Sequence, residues 1–296
     1  MKSYRAYRCF TLLIISIFAT GAVSAQNRDS LAFCSGNWSQ NSIAEGIIHK
    51  SIHILNKEIF NSNQYISVVE ISPESCAKVE IFASPVLKHT SQMAAEKGAK
   101  IALNGSFFKF NNSYNTEDYN SVDYIRKDNR QLAPNTWPAR GRSMHQLGAL
   151  AIFRGEVFIL KADSIREWER YIQAEEVITS GPVLRVDGKD VSLSSDSFYT
   201  TRHPRTAVGK RSDGTLILIT ADGRAAEAAG VSLAELQLIM KWLGADYAIN
   251  LDGGGSTTLY IEGASDNGIV NHPTDNREFD NKGERKVANA ILVYTK

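Results

Sequence analysis

The chain has 296 residues, 43% of them hydrophobic and 22% charged, with 33 basic against 32 acidic side chains and seven prolines. That balance is too apolar for a disordered polymer, too poor in proline for a collagen-like rod and too evenly charged for a polybasic nucleic-acid binder. What remains is a folded globular protein that recognises its ligand through a site, with no nucleic acid as partner.

Lys2, Arg5 and Arg8 precede an apolar run from Cys9 to Ala19, followed by Val23-Ser24-Ala25. A charged start, a short apolar core and a small-residue cleavage site predict a secretory signal peptide over 1–25, and the run is too short to span a membrane. The expectation is an exported chain, periplasmic or extracellular, with no stable membrane insertion after cleavage. Cleavage removes three basic and no acidic residues, leaving 30 against 32 and a net charge of −2. Cys9 leaves with the signal, so Cys34 and Cys76 remain, compatible with one disulfide or with two free thiols. A mobile stretch is expected over 26–40 and a single domain over 41–296.

Most of the remaining pattern is strand-like. Ile52–Leu55 and Ile66–Ile71 flank the turn-rich Asn61-Ser62-Asn63 as a hairpin would, followed by an apolar run at Val79–Phe82. A short helix is predicted over Gln92–Lys97, capped by Ser91 or Thr90 and closed by Gly98, and a strand over Ile101–Leu103. Asn111–Gln146 is polar, with Tyr114, Tyr119, Tyr124 and Trp137 but little apolar periodicity, and is read as a substrate-covering insertion or an irregular surface excursion. Strands follow at Ala149–Phe153 and Val157–Leu160, then a capping box at Ser164 and Glu167 ahead of Trp168 and Ile172. Further strands are expected at Val177–Thr179, Val183–Val186 and Leu216–Thr220. Ser232-Leu233-Ala234-Glu235 opens a helix whose Leu233, Leu236, Met240 and Leu243 share one face before Gly244 stops it. Strands at Ala248–Leu251, Thr258–Ile261 and Ala290–Tyr294 enclose a second loop over Ser265–Lys286. The fold class expected is α+β (mixed α/β), a strand-rich mixed sheet with a few helices packed on it.

The most informative segment is Asn250-Leu251-Asp252-Gly253-Gly254-Gly255-Ser256-Thr257-Thr258. Glycines let backbone N–H groups turn toward a ligand and hydroxyls add donors, which suits a phosphate held beside a carboxylate, although a tight turn would also use glycines. The residues of a P-loop, a dinucleotide fingerprint and a nucleophile elbow are absent. His203-Pro204-Arg205 and Asp222-Gly223-Arg224 put arginines at strand ends, where a guanidinium can grip phosphate; a surface arginine and a plain Asp-Gly turn are the alternatives. Asn104-Gly105-Ser106-Phe107-Phe108 offers an amide beside aromatics, as a sugar face requires, or a core phenylalanine pair at a turn. His49 and His53 lack the glutamate of a metalloprotease motif, and His89, His145 and His272 stand isolated, so no transition-metal site is expected.

Taken in order, Asn104–Phe108, Ser180-Gly181-Pro182-Val183-Leu184, Arg205–Gly209, Asp222–Arg224 and Asn250–Ser256 resemble the phosphodiester glycosidase family, with Asn271–Asp275 and Glu284–Ala290 similar to its closing motifs. The resemblance covers roughly residues 100–295, and Ser106 stands where a second glycine is common. It implies a hydrolase that releases N-acetylglucosamine from a carbohydrate phosphodiester and leaves a phosphomonoester. A phosphomonoester is already a good leaving group because its second pKa is about 6, so cations and N–H donors aimed at the phosphate would supply the main stabilisation. On that resemblance, Arg205 and Arg224 hold the phosphate with the N–H groups of Gly253, Gly254 and Gly255 and the hydroxyls of Ser256 and Thr257, with His203 completing the shell. Asp252 and Asp222 become the candidates for nucleophile, base or stabiliser of an oxocarbenium-like sugar. Asn104 and Phe107 would contact the sugar. No cofactor is expected, with a divalent cation beside Asp252 left open. The rival readings are a non-catalytic glycan-binding protein and a phosphodiesterase that cuts the P–O bond.

Overall fold

The computed structural model describes residues 28–110, 116–136, 141–264 and 267–295, and the expected signal peptide lies outside them. The strands are β1 (Ser39–Ala44), β2 (Ile47–Ile59), β3 (Ser62–Ile71), β4 (Lys78–His89), β5 (Ile101–Asn104), β6 (Ile125–Lys127), β7 (Arg130–Ala133), β8 (Gly148–Phe153) and β9 (Glu156–Lys161). They continue with β10 (Glu176–Ser180), β11 (Val183–Val186), β12 (Lys189–Asp190), β13 (Arg205–Lys210), β14 (Leu216–Ala221), β15 (Tyr247–Asn250), β16 (Leu259–Ile261) and β17 (Lys286–Tyr294), and the α-helices are α1 (28–34), α2 (Thr90–Lys97), α3 (Ser197–Thr200) and α4 (Leu233–Trp242). Three sheets result, ordered β1-β2-β3-β14-β13-β15-β11-β12, β7-β6-β10-β8-β9 and β16-β5-β17-β4. Pairing between these strands is antiparallel throughout, so antiparallel ladders take the place of the mixed sheet expected, and the fold is mostly β with few helices.

The continuous apolar runs read from sequence have a common cause: central strands are buried on both faces, so alternate side chains enter different cores. In β14, Leu216 and Leu218 face a core shared by all three sheets, while Ile217 and Ile219 face a second core. That second core is closed by helix α4 (Leu233–Trp242) through Leu233, Leu236, Ile239 and Met240. In β17, Ile291 and Val293 point into the shared core and Ala290 and Leu292 pack against Met93 and Ala94 of helix α2 (Thr90–Lys97). In β8, Leu150 and Ile152 do the former, while Ala149 and Ala151 pack against Trp168.

Helix ends show where local signals decide and where they do not. Ser232 accepts from the Glu235 N–H and the Glu235 carboxylate accepts from the Ser232 N–H, the capping box expected. The α2 helix starts two residues before Gln92, with His89 as its N-cap, and its donors are met from afar: Glu284 accepts from the Ser91 N–H at 2.8 Å and from the Ser91 hydroxyl at 2.6 Å. Ser164 and Glu167 start no α-helix, because Glu167 has φ of 56° and only a 3₁₀ turn follows over Trp168–Tyr171. Within Asn111–Gln146, β6 and β7 form a hairpin about Asp128-Asn129, both at positive φ, so this stretch carries an ordered edge of the second sheet. In the stretch expected to be mobile, residues 28–34 are helical and Phe33 is buried against Trp38 and Trp242, with ring centroids 5.1 and 5.3 Å away. Cys34 and Cys76 are exposed free thiols. Among the described residues no helix is long and apolar enough to cross a membrane.

Replacing Ser232 by Ala removes the α4 cap and is expected to cost about 1 kcal/mol. Urea unfolding should show a lower midpoint with an unchanged slope, and an unchanged midpoint would contradict the capping role.

Candidate active site

Strand register brings the sequence motifs to one sheet end. Arg205 pairs with Ala221, the neighbour of Asp222, and Ala207 pairs with Asn250, two residues before Asp252. The Leu251 N–H donates to Thr206 O at 2.8 Å, which carries the Asp252 loop alongside Arg205. From the third sheet, the end of β5 delivers Asn104, whose N–H donates to Thr258 O at 3.2 Å.

Asn104 holds these pieces together. Its side chain is fully buried, with Nδ2 donating to Asp252 O at 2.8 Å, and Oδ1 accepting from the Thr206 hydroxyl at 2.8 Å and the Thr258 N–H at 3.0 Å. With both ends of the amide occupied, Asn104 braces the Asp252 loop instead of contacting a sugar. Ser106 is turned away as well, its hydroxyl lying 2.8 Å from Asp123 Oδ2 and 2.7 Å from Thr179 O.

The glycine run brings cations close. Gly254 has φ of 63°, and a Cβ there would lie 2.9 Å from Nη2 of Arg224, whose guanidinium rests against the loop. A Cβ on Gly255 would lie 2.5 Å from Nη2 of Arg285 and 2.6 Å from Oδ1 of Asp275, so only glycine admits this ion pair. Backbone donors are less free than expected: the Gly253 N–H donates to Asp252 Oδ1 at 2.9 Å and the Gly254 N–H to Pro204 O at 2.8 Å. The hydroxyls of Ser256, Thr257 and Thr258 are enclosed without a hydrogen-bond partner.

Arg205 is buried, with Nε donating to Val231 O and Nη2 to Phe198 O and Thr201 O, which leaves Nη1 outside these bonds. Its guanidinium also sits 4.8 Å from the Phe198 ring centroid. Burial, then the Arg224 charge, pulls its pKa down to about 10. Burial, then Arg205 and Arg224, likewise lowers the pKa of His203, so the positive charge of this cluster sits on the two guanidinium groups. Such a cluster can stabilise a departing phosphate through Nη1 of Arg205 and the exposed Arg224, a single-edge contact in the case of Arg205.

The carboxylates divide by environment. Asp252 keeps some accessible surface while protein encases it, and burial raises its pKa to about 6 against the lowering effects of Ser256, the Gly253 N–H and Arg285. The Ser256 hydroxyl faces it without reaching hydrogen-bond geometry. Asp222 is fully buried and saturated: Oδ1 accepts from Asn271 Nδ2 at 2.8 Å, Oδ2 accepts from the His272 N–H at 2.7 Å, and His272 Nδ1 lies 2.9 Å from Oδ2. Asp222 thereby orients His272, which stacks on Phe279 at 3.9 Å.

A second such pair lies outside the motifs singled out. Buried Asp123 bonds Nδ1 of His145 through Oδ1, and the His145 ring centroid is 5.1 Å from that of the half-buried Phe107. Neither His145 nor His272 is isolated, and each is oriented by an aspartate 22 or 50 residues away. Burial raises the Asp123 pKa to about 6, opposed chiefly by His145 and Ser106, and its charge adds to the rise in Asp252. Asp123, His145, Asp275, Arg285 and His272 are the neighbours that motif reading left out of the site. The signal available was the clustering of ionisable residues in the polar stretches around them.

Asp123 has its pKa raised from 3.8 to about 6. Stability tied to its protonated form is therefore fully present below about 3.8 and is lost as pH rises through about 6. Asp123→Asn should remove a pH-dependent loss on the order of 3 kcal/mol, read as a smaller fall in urea midpoint between pH 4 and pH 7. An equal fall in both proteins would contradict it. Asn104→Ala strands the Thr258 N–H and Asp252 carbonyl and should cost about 3 kcal/mol, measured by the same unfolding; a cost below about 1 kcal/mol would contradict the bracing role.

The chain is 36% identical over 81 residues to the SPbeta prophage-derived uncharacterized protein YomE of Bacillus subtilis, covering 27% of this chain and 13% of that protein. It is 32% identical over 119 residues to the N-acetylglucosamine-1-phosphodiester alpha-N-acetylglucosaminidase of Mus musculus, covering 40% of this chain and 22% of that protein. The chain thus matches about a fifth or less of these relatives' lengths. In fold it is similar to the zebrafish N-acetylglucosamine-1-phosphodiester alpha-N-acetylglucosaminidase catalytic domain auto-inhibited by pro-peptide, with a TM-score of 0.63, 16% identity and coverage of 92% of this chain and 93% of that one. A hypothetical protein from Synechocystis gives a TM-score of 0.59 at 17% identity, covering 88% of this chain and 64% of that one. The phosphodiester glycosidase family model matches residues 97–294, which include both Asp–His pairs and the Asp252 loop, and the chain belongs to that family.

Proposed function

We propose that the chain is an exported hydrolase that cleaves a sugar-1-phosphodiester of the N-acetylglucosamine-1-phosphate type at the glycosidic bond, leaving a phosphomonoester. The observation that carries this reading is the loop that follows Asp252, which lies alongside the Arg205 strand and has the Arg224 guanidinium against Gly254 and that of Arg285 against Gly255. Breaking the anomeric C–O bond sends its electron pair to the phosphate oxygen and leaves positive charge on the sugar. A carboxylate on one side and guanidinium groups on the other answer both charges. Phe107, half-buried between His145 and Phe198, supplies an apolar face for the sugar ring. Export rests on the charged start and apolar core before residue 26.

With a pKa near 6, Asp252 is mostly ionised at neutral pH and accumulates the neutral form as pH falls through about 6. Activity that needs its charge should decline on that limb. Because the Asp123 charge helps raise the Asp252 pKa, Asp123→Asn should move the titration of the Asp252 carboxyl, read by ¹³C NMR, to lower pH, and an unmoved titration would contradict the coupling. The proposal itself is tested by steady-state kinetics on an N-acetylglucosamine-1-phosphodiester. Asp252→Asn should lower kcat by about a thousandfold with little change in KM, whereas Arg224→Ala should also raise KM. Full activity in Asp252→Asn would overturn the assignment.

A further inference from the structure

The Asp123–His145 pair has a geometry that holding a fold does not require. Nδ1 of His145 is bonded to the buried Asp123, which leaves Nε2 outside that bond on a side chain that keeps 20% of its surface accessible. The pair is tied to Asp252 through consecutive residues: Gly105 O accepts from the Asp252 N–H at 3.1 Å, Ser106 meets Asp123, and the Phe107 ring lies against His145. The same side of the site is fixed from β10 onward, where Asn250 Nδ2 donates to Gly181 O at 2.9 Å and Met144 O closes on Gly181, 2.5 Å from where a Cβ would stand. The turn that carries His145 and the loop that carries Asp252 thus share one support.

We propose that His145 is a catalytic general base, oriented by Asp123, that activates the hydrolytic water beside Asp252; this rests on the glycosidase reading above. An aspartate accepting from Nδ1–H fixes the tautomer with the lone pair on Nε2. In the step assigned to it, the water oxygen forms a bond to the anomeric carbon, the water proton passes to Nε2, and the C–O bond to phosphate breaks with its electron pair leaving on the phosphate oxygen. His145 then returns the proton to solvent. Asp222–His272 has the same Asp–Nδ1 pattern, but its ring is stacked on Phe279 at 3.9 Å and met edge-on by Tyr65 at 4.4 Å, and Asn271 ties it to Thr257 O, beyond the glycines.

The test compares wild type, His145→Ala and His145→Gln on the same diester, with ¹⁵N NMR of the labelled protein beside it. The expected result is a fall in kcat of about a hundredfold or more in both variants, with KM within about twofold and partial rescue of His145→Ala by added imidazole. A wild type that turns the diester over while His145→Ala keeps kcat within about threefold overturns the inference and leaves the glycosidase reading standing. If the wild type leaves the diester intact, the glycosidase reading has failed and the NMR decides the pair alone. There, an Nδ1–H tautomer with an Nε2 signal that shifts on adding N-acetylglucosamine 1-phosphate supports His145 facing the site, and an Nε2–H tautomer or an unshifted Nε2 overturns it.

Discussion

The buried Asn104 amide is the point on which the rest of the site depends. It joins the third sheet to the first by holding the Asp252 carbonyl, the Thr258 N–H and the Thr206 hydroxyl at once. Each of these polar groups would be costly to leave unpaired where water cannot reach. The amide therefore fixes the loop that carries Asp252 at both its entrance and its exit. Asn271 repeats the device on the far side, accepting from the Leu259 N–H and donating to Asp222 and Thr257 O. Between the two amides the glycine loop has little freedom, and the side chains around it are set by its shape.

Charge is arranged with the same economy of contact. Cations reach the loop because glycines leave room for them: Arg224 rests on Gly254 and Arg285 on Gly255. Acids are placed in pairs with histidines, Asp123 with His145 and Asp222 with His272, in which a fully buried carboxylate sets the orientation of a partly accessible ring. Asp252, with no histidine bonded to it, is the one of these three aspartates that keeps some accessible surface. The division of labour among three aspartates follows from burial and partners, and spacing along the chain would not have given it.

Much of the fold was legible because its central strands are buried on both faces and so read as unbroken apolar runs, as in Leu216–Thr220 and Ala290–Tyr294. The α4 helix was legible because its capping box is local. The polar hairpin β6–β7 was not, since its apolar content is little more than Ile125, Leu132 and Ala133, although Asp128-Asn129 marks its turn. At the site, the motifs named Asp252, Arg205, Arg224, His203 and Phe107, which the fold brings together. They misplaced Asn104 and Asp222, because an amide at a strand end and an acid before a glycine look alike whether they face a ligand or a neighbouring loop. The histidine partners were invisible for a simpler reason, as was Glu284 capping α2 from 193 residues away: these contacts exist only once the sheets have packed.

In the proposed reaction the anomeric carbon–oxygen bond is the one that breaks. Hydrolysis of an N-acetylglucosamine-1-phosphodiester in ¹⁸O-labelled water, read by ³¹P NMR and mass spectrometry, tests it directly. Label is expected in the released sugar and none in the phosphomonoester. Label in the phosphate would mean that the P–O bond is cut and would contradict it.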